Sequence, residues 1–180
     1  MARAIEYPEP ALVLGAYSLR PLRVEDFDAA REATDHPSSA RWINTLPASD
    51  GRGLVDFVEM ERTAGRILDL AIADGAGDYL GEVLLLSREH QSAELAYLIA
   101  PAAWGQGIAT AAVDALSRYA FERLAMQRLQ IRVDPGNAAS QRVAEKAGYQ
   151  REGLMRSALI VRGRRADVLV YSRLPGDPSL

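Results

Sequence analysis

The segment "APAAWGQGIATAAV", residues 100–113, decides the fold that the sequence predicts. Gly105 and Gly107 lie where an apolar, strand-like run ends and an alanine-rich, helix-like run begins. The backbone amides of such a turn, with the positive end of the helix dipole, can hold an anion. A turn that joins a strand to a helix and binds nothing explains the two glycines equally well.

Two well-known phosphate-binding turns fit this segment poorly. A Walker-type loop needs a lysine after its second glycine, and "WGQGIAT" contains none. A dinucleotide-binding turn needs a third glycine, and Thr110 stands at that position, although Asp134 follows one strand later. An oxidoreductase that binds NAD(P) at this turn therefore stays as the weaker alternative.

Length and composition predict one domain. A chain of 180 residues suffices for a single core, and we expect a loose arm at 1–10, one domain at 11–174 and a loose tail at 175–180. The chain has no cysteine, which excludes disulfides, thiolate zinc sites and a cysteine nucleophile. Two histidines are too few for a histidine-based metal site, so we expect no metal, with a site made of carboxylates alone as the open alternative.

Charge and hydropathy argue against two classes of binding partner, nucleic acid and membrane. Acidic residues outnumber basic ones by 24 to 21, and no long basic run could neutralise a nucleic-acid backbone. The first ten residues carry charges and prolines where a secretory peptide needs an apolar core, and no 18 uncharged apolar residues run together. We predict a soluble cytoplasmic protein that binds neither nucleic acid nor membrane.

Periodicity and turn residues predict the order of the elements. The sequence reads as a strand in 11–22, helices in 24–36 and 49–65, strands in 66–73, 78–87 and 92–100, a helix in 108–124, a strand in 128–134, a helix in 138–148, and a hairpin of strands in 149–161 and 166–174.

A second segment, "DPGNAASQRVAEKAGY" at 134–149, sharpens the interpretation of the first. It places Asn137 and Ser140 three apart at a strand-to-helix junction. Together the two segments resemble the GNAT acetyltransferase superfamily, whose motifs are R/Q-x-x-G-x-G/A and N-x-x-S/A ending in G-F/Y. Gly107 and Ala109 fit the first motif. Trp104 replaces the leading Arg or Gln of that motif. A tryptophan at this position resembles the RimJ/RimL-like branch, whose members acetylate the N-terminal amines of ribosomal proteins.

The resemblance covers about residues 12–174 and implies both a fold and a co-substrate. It implies an α+β fold with a mixed, twisted sheet of about seven strands and about four helices. Strands 93–99 and 128–133 form a splayed parallel pair that holds acetyl-CoA, with its pyrophosphate on the glycine turn. The implied coenzyme-binding residues are Tyr97, Leu98, Ile99, Gly105, Gln106, Gly107, Ile108, Ala109, Asn137 and Ser140.

Catalytic residues follow from the same resemblance. Many members use a tyrosine as the acid, but Ala144 occupies that position, so Ser140 is expected to donate to the coenzyme sulfur. Glu94 is the expected general base, with Glu82 as its competitor. Each of these residues could instead be a helix cap or a solvated carboxylate. Residues expected to bind the acceptor are Trp42 and Asp167.

The acceptor is the least defined part of the interpretation. The resemblance favours a protein N-terminal amine. A small amine, such as an aminoglycoside, a polyamine or an amino-acid derivative, is the alternative. A non-catalytic module that binds acyl-CoA is an alternative of another class. A homodimer is a further hypothesis, since the sequence does not define the oligomeric state.

Overall fold

The computed structural model of the protein describes residues 6–42, 63–161 and 163–178. The helix predicted at 49–65 lies almost entirely outside these residues.

Eight strands and four helices form the described parts of the chain. The strands are β1 (Leu12–Leu14), β2 (Tyr17–Pro21), β3 (Ile67–Ala73), β4 (Tyr79–Ser87), β5 (Ser92–Ile99), β6 (Arg128–Val133), β7 (Gln150–Val161) and β8 (Arg164–Arg173). The helices are α1 (Phe27–Asp35), α2 (Pro37–Ala40), α3 (Ile108–Glu122) and α4 (Ala138–Lys146), and short 3-10 turns cover Val24–Asp26 and Pro101–Ala103. The predicted α+β class is confirmed.

The first predicted strand, 11–22, is wrong as a single element. It folds into the hairpin of β1 and β2, in which Leu12 pairs with Leu19 and Leu14 pairs with Tyr17. The chain reverses at Gly15, whose φ is 67°, a value that glycine adopts without strain. The sheet therefore has eight strands where about seven were expected.

All eight strands belong to one sheet in the order β1-β2-β3-β4-β5-β6-β8-β7. Every neighbouring pair is antiparallel except β5 and β6, which are parallel. These two strands pair only from Ser92 with Arg128 to Glu94 with Gln130. Because β5 continues to Ile99 and β6 to Val133, the strands part beyond Glu94 and leave a gap, which confirms the predicted splayed pair.

The main apolar core lies between one face of the sheet and helices α3 and α4. The sheet contributes Leu68, Leu70, Ile72, Val83, Leu85, Leu95, Leu129 and Ile131, and the helices contribute Ile108, Ala112, Val113, Leu116, Ala120 and Ala144. Helix α1 packs against β4 and β5, and its buried Ala33 is not part of that core. The gap therefore has α3 and α4 on one side and α1 on the other.

Some residues of the predicted arm and tail contact the rest of the protein. The Tyr7 hydroxyl donates to Asp69 Oδ1 at 2.5 Å, and the Tyr119 hydroxyl donates to the carbonyl of Glu6 at 3.0 Å. Near the other end, Asp177 Oδ2 accepts from the Leu174 amide at 2.8 Å. Among the described helices, none has the length and apolar character to cross a membrane.

Candidate active site

The glycine turn follows the end of β5 and begins α3. Gly105 and Gly107 both have φ of 77°, a conformation in which a residue with a Cβ atom is strained. Gly107 is the N-cap of the 15-residue helix α3. A Cβ atom at either glycine would meet nothing within 4 Å, so the turn is open on its outer side.

Within the described residues, the amides of Gly105, Gln106 and Gly107 have no acceptor. The first amides of α3 have no partner inside the helix either, because the first turn of any α-helix lacks one. Consecutive unpaired amides at the positive end of a helix dipole form an anion-binding site. The predicted coenzyme residues from Gly105 to Ala109 all belong to this segment.

Trp104 fastens the turn to β5. Its indole Nε1 donates to the Ile99 carbonyl at 2.8 Å, while the residue stays 49% exposed. The His36 ring meets the Trp104 ring edge-on, with centroids 6.4 Å apart. An arginine or glutamine at 104 could not fill this position in the same way, since it lacks the flat ring that packs beside His36.

The backbone of β5 presents alternate residues to the gap. The Ala100 amide donates to the Leu80 carbonyl at 2.9 Å, and the Arg88 amide donates to the Ser92 carbonyl at 2.8 Å, so even-numbered residues of β5 bond to β4. Leu98 therefore directs its backbone to β4 and Tyr97 directs its backbone into the gap. Since Trp104 already uses the Ile99 carbonyl, Tyr97 is the one of the three predicted residues that directs into the gap both an amide and a carbonyl that is unused in the described residues.

The second turn, between β6 and α4, is held by its own side chains. Asp134 Oδ1 accepts from the Gly136 amide at 2.7 Å, and Asn137 Oδ1 accepts from the Ser140 amide at 3.0 Å. Asn137 is thus the N-cap of α4. The motif spacing of three residues has a direct physical reason, because a capping side chain reaches the amide three positions later.

Ser140 meets the side chain of Tyr97. The Tyr97 hydroxyl lies 2.8 Å from Ser140 Oγ and 3.1 Å from the Ser140 carbonyl. Burial raises the pKa of Tyr97 to about 12. Sequence reasoning assigned Tyr97 only a backbone role and missed this contact. Strand alternation could have found it, because Leu95, Tyr97 and Ile99 share one face and Leu95 and Ile99 are core residues.

Glu94 is surrounded by donors. Its Oε1 accepts from Arg132 Nε at 2.8 Å, and its Oε2 lies 3.2 Å from Arg88 Nη2 and 3.3 Å from Gln130 Nε2. The side chain is 11% exposed. A buried carboxylate with these contacts has an evident structural role, since it ties β5 to β6 where the two strands still pair.

Glu82, the competing carboxylate, lies in β4 opposite Leu98 of β5. Strand alternation directs its side chain away from the core that contains Val83, and so toward the face on which α1 packs. Burial, followed by the nearby Asp69 charge, raises its pKa. Within the described residues its carboxylate has no hydrogen-bond or ion-pair partner, so its oxygens are available to an incoming group.

The two predicted acceptor residues lie in different surroundings. A Cβ atom built on Gly136 would come within 3.6 Å of the Trp42 ring, so Trp42 lies against the second turn. Asp167 in β8 accepts from the Ser157 amide at 2.8 Å. Ser157 has φ of 52° and lies where the pairing of β7 with β8 shifts register. Asp167 therefore supports that irregularity in the hairpin.

Comparison with known sequences gives one family and several relatives. The family model described as an acetyltransferase (GNAT) domain matches residues 17–150. YdaF of Bacillus subtilis, whose name describes a ribosomal N-acetyltransferase, is 40% identical over 143 residues, which cover 78% of this chain and 73% of YdaF.

Solved structures agree with this fold. RimJ of Mycobacterium smegmatis in complex with CoA-disulfide superposes with a TM-score of 0.78 at 25% identity, covering 88% of this chain and 81% of RimJ. A spermidine N-acetyltransferase of Vibrio cholerae in complex with CoA and spermine superposes with a TM-score of 0.77 at 21% identity, covering 88% of this chain and 95% of that one. The names of YdaF and of this spermidine N-acetyltransferase therefore describe two different acceptor classes.

Proposed function

Because this chain belongs to the GNAT acetyltransferase family, we propose that it moves the acetyl group of acetyl-CoA to a primary amine, and that its preferred acceptor is a protein N-terminal amine. The observation that carries the proposal is the parallel pair of β5 and β6, which opens after three residue pairs beside a turn with unused amides. The cytoplasmic location and the homodimer stay predictions.

The gap and the turn suit the two halves of the coenzyme. Pantetheine carries amides that can pair with the exposed backbone of Tyr97 as a further strand would. The pyrophosphate is an anion of the kind that amides 105–109 and the start of α3 favour. RimJ, which superposes on this chain, was solved with a CoA derivative. We therefore assign acetyl-CoA as the co-substrate.

Acetyl transfer needs a neutral amine, a polarised carbonyl and a stabilised thiolate. We assign the general base to Glu82 in place of Glu94, because the Glu82 carboxylate is unpaired in the described residues whereas three side chains already donate to Glu94. The neutral amine nitrogen bonds to the acetyl carbon and gives one proton to Glu82, directly or through water. The carbon–sulfur bond breaks with its electron pair on sulfur.

The carboxylates near Glu82 suit a cationic acceptor. In the part of the chain that the structure describes, two arginines pair with Glu94, whereas Asp69 accepts from the neutral Tyr7 hydroxyl and its charge acts on Glu82. Both a protein N-terminus, with one amine, and a polyamine, with several, suit two carboxylates. We prefer the N-terminus because of the likeness to YdaF. A small amine stays as the second candidate because of the likeness to spermidine acetyltransferases.

The test is an acceptor screen with purified protein and acetyl-CoA. Peptides that begin with Ala, Ser or Met are compared with the same peptides blocked at the N-terminus, with spermidine and with an aminoglycoside. We expect release of CoA, and addition of one acetyl group by mass spectrometry, with the free peptides only. Acetylation of spermidine or the aminoglycoside alone would transfer the proposal to small amines.

Two other outcomes would reject the enzyme. Tight binding of acetyl-CoA with no transfer to any acceptor would indicate the non-catalytic binding module. Thermal stabilisation by NAD(P) without stabilisation by CoA would indicate the oxidoreductase, because the ligand that binds the native state is the one that raises its melting temperature.

A further inference from the structure

Two hydroxyl groups meet on the helix side of the gap. Tyr97 extends from β5, and Ser140 lies in the first turn of α4, with 2.8 Å between Tyr97 Oη and Ser140 Oγ. The Ser140 amide donates to Asn137 Oδ1 at 3.0 Å. Ser140 is thus fixed through its backbone by the cap and through its side chain by Tyr97.

The hydrogens of this pair have two arrangements. In the first, Tyr97 donates to the Ser140 carbonyl at 3.1 Å and the serine hydroxyl donates to Tyr97. In the second, Tyr97 donates to Ser140 Oγ, and the hydrogen of the serine is free to point elsewhere. Only the second arrangement leaves Ser140 with a donor for a ligand.

We propose that Tyr97 is the positioning residue for Ser140, because its hydrogen bond to Oγ turns the serine hydrogen toward the sulfur of the departing coenzyme. The inference rests on the proposed function, because it assigns to Tyr97 the positioning of the serine that stabilises the coenzyme thiolate. Tyr97 does not touch the reacting atoms. It replaces, through a serine, the tyrosine acid that Ala144 excludes from the usual position.

The step balances without a proton leaving either hydroxyl. The amine nitrogen forms the new bond to the acetyl carbon and gives one proton to Glu82. The carbon–sulfur bond breaks with its electron pair on sulfur. The thiolate is stabilised by the hydrogen bond from Ser140. On release it takes a proton from water and Glu82 returns its proton to water, so Ser140, Tyr97 and Glu82 end the reaction as they began it.

The surroundings of Tyr97 suit a donor. Burial raises its pKa to about 12, so the hydroxyl keeps its hydrogen at physiological pH. The protein also contains a second buried tyrosine–serine pair, in which the Tyr149 hydroxyl lies 2.8 Å from Oγ of Ser117 within α3. Tyr149 therefore provides a control for loss of a buried tyrosine–serine hydrogen bond.

The experiment is a double-mutant cycle. Tyr97→Phe, Ser140→Ala and the double variant are compared with Tyr149→Phe, and kcat and KM for acetyl-CoA are measured on folded protein. We expect kcat to fall about tenfold in Tyr97→Phe and somewhat more in Ser140→Ala, with KM unchanged. The double variant should equal Ser140→Ala, because two residues that act through one hydrogen bond are not additive. Tyr149→Phe should keep kcat and lose thermal stability.

A second measurement works without any acceptor. The thiol of bound CoA is titrated through the pH dependence of its alkylation. A hydroxyl that donates to the thiolate lowers the thiol pKa, so this pKa should rise in Tyr97→Phe and Ser140→Ala and stay unchanged in Tyr149→Phe.

Each remaining outcome overturns a definite statement. Losses of kcat that multiply in the double variant, or an unchanged thiol pKa in Tyr97→Phe, would overturn the role of Tyr97. A wild-type protein that binds CoA and acetylates nothing would overturn the proposed function, and the thiol titration would still decide on Tyr97. Failure to bind CoA would overturn both.

Discussion

The two turns beside the gap both join a strand to a helix, but they differ in how their backbone amides are hydrogen-bonded. At Gly105–Gly107 the chain turns through glycines with positive φ, and its amides stay unpaired in the described residues. At 134–137 the chain turns through side-chain hydrogen bonds, and its amides are used by Asp134 and Asn137. The first turn therefore offers backbone to a ligand, and the second offers a positioned side chain, Ser140. The two turns therefore differ in whether their backbone amides are left for a ligand.

Gly107→Val should displace the unpaired amides of the first turn and cause the largest loss of CoA affinity. Valine is strained at φ of 77°, and a shifted turn would lose charge-assisted hydrogen bonds to the pyrophosphate. Two such bonds at about 2 kcal/mol each correspond to roughly a 1000-fold loss of CoA affinity. Isothermal titration with CoA measures it.

Gly163→Val is the matched control. Gly163 lies between β7 and β8 with φ of 74° and nothing within 4 Å of a Cβ atom, so it carries the same backbone strain. CoA affinity should stay at the wild-type value in this variant. Equal losses in both variants would show that strain, and not the anion site, explains the result.

Glu82 and Glu94 differ in the same way, because the carboxylate of Glu94 has hydrogen-bond partners and that of Glu82 has none in the described residues. Glu82→Gln should lower kcat/KM about 100-fold, because it removes a general base. Glu94→Gln should keep most of the activity and lower stability by about 1 kcal/mol, since it weakens partly exposed ion pairs with Arg88 and Arg132. Acetyl-transfer kinetics and urea denaturation separate the two. The reverse result would return the role of base to Glu94.

The pH dependence of stability gives the Glu82 variant a second readout. Burial raises the pKa of Glu82 in the folded protein above its ordinary value of 4.5. Between that value and the raised pKa the folded state holds more protons than the unfolded chain, so stability falls as pH increases. Glu82→Gln cannot lose a proton. Its stability relative to wild type should therefore increase across this range, and a constant difference would argue against a buried, unpaired Glu82.

The two turns beside the gap could be predicted from motifs because their conformations depend on short segments. Positive φ at Gly105 and Gly107 and the cap at Asn137 depend on nearby residues, and both spacings are visible in the sequence. Apolar runs likewise predicted β3 to β8. The β1–β2 hairpin was missed because "LVLGAYSL" has the apolar content of one strand, and Gly15 was not interpreted as a turn.

Contacts between distant segments were beyond sequence reasoning. Gln130 and Arg132 reach Glu94 only after β5 and β6 pair, so Glu94 and Glu82 could not be distinguished from composition or alternation. The same holds for Tyr97 and Ser140, which lie 43 residues apart in the chain. Trp42 likewise lies beside Gly136, across a still longer interval of the chain.

The side chain of Asn137 has one atom with a hydrogen-bond partner in the protein and one that we expect to bind the coenzyme. Its Oδ1 caps α4, while its Nδ2 is a donor that we expect to contact the coenzyme. Asn137→Ala should lose about 1 kcal/mol of stability and about fivefold in CoA affinity. Asn137→Ser keeps a cap and should lose the affinity alone. Thermal melts and CoA titrations measure both. Full affinity in Asn137→Ser would reduce Asn137 to a cap.

Trp104→Phe should have the smallest effect, because it removes a bond that supports the first turn without touching a ligand. The ring is kept beside His36, but the donation from Nε1 to the Ile99 carbonyl is lost. That carbonyl lies at the end of β5 next to the gap and can turn to water, so we expect a stability loss of about 1 kcal/mol and a loss of CoA affinity of about threefold. Titration of both properties in one preparation tests the ranking. If Trp104→Phe weakened CoA binding as much as Gly107→Val, the position of the turn against β5, and not its free amides, would be the main determinant of coenzyme affinity.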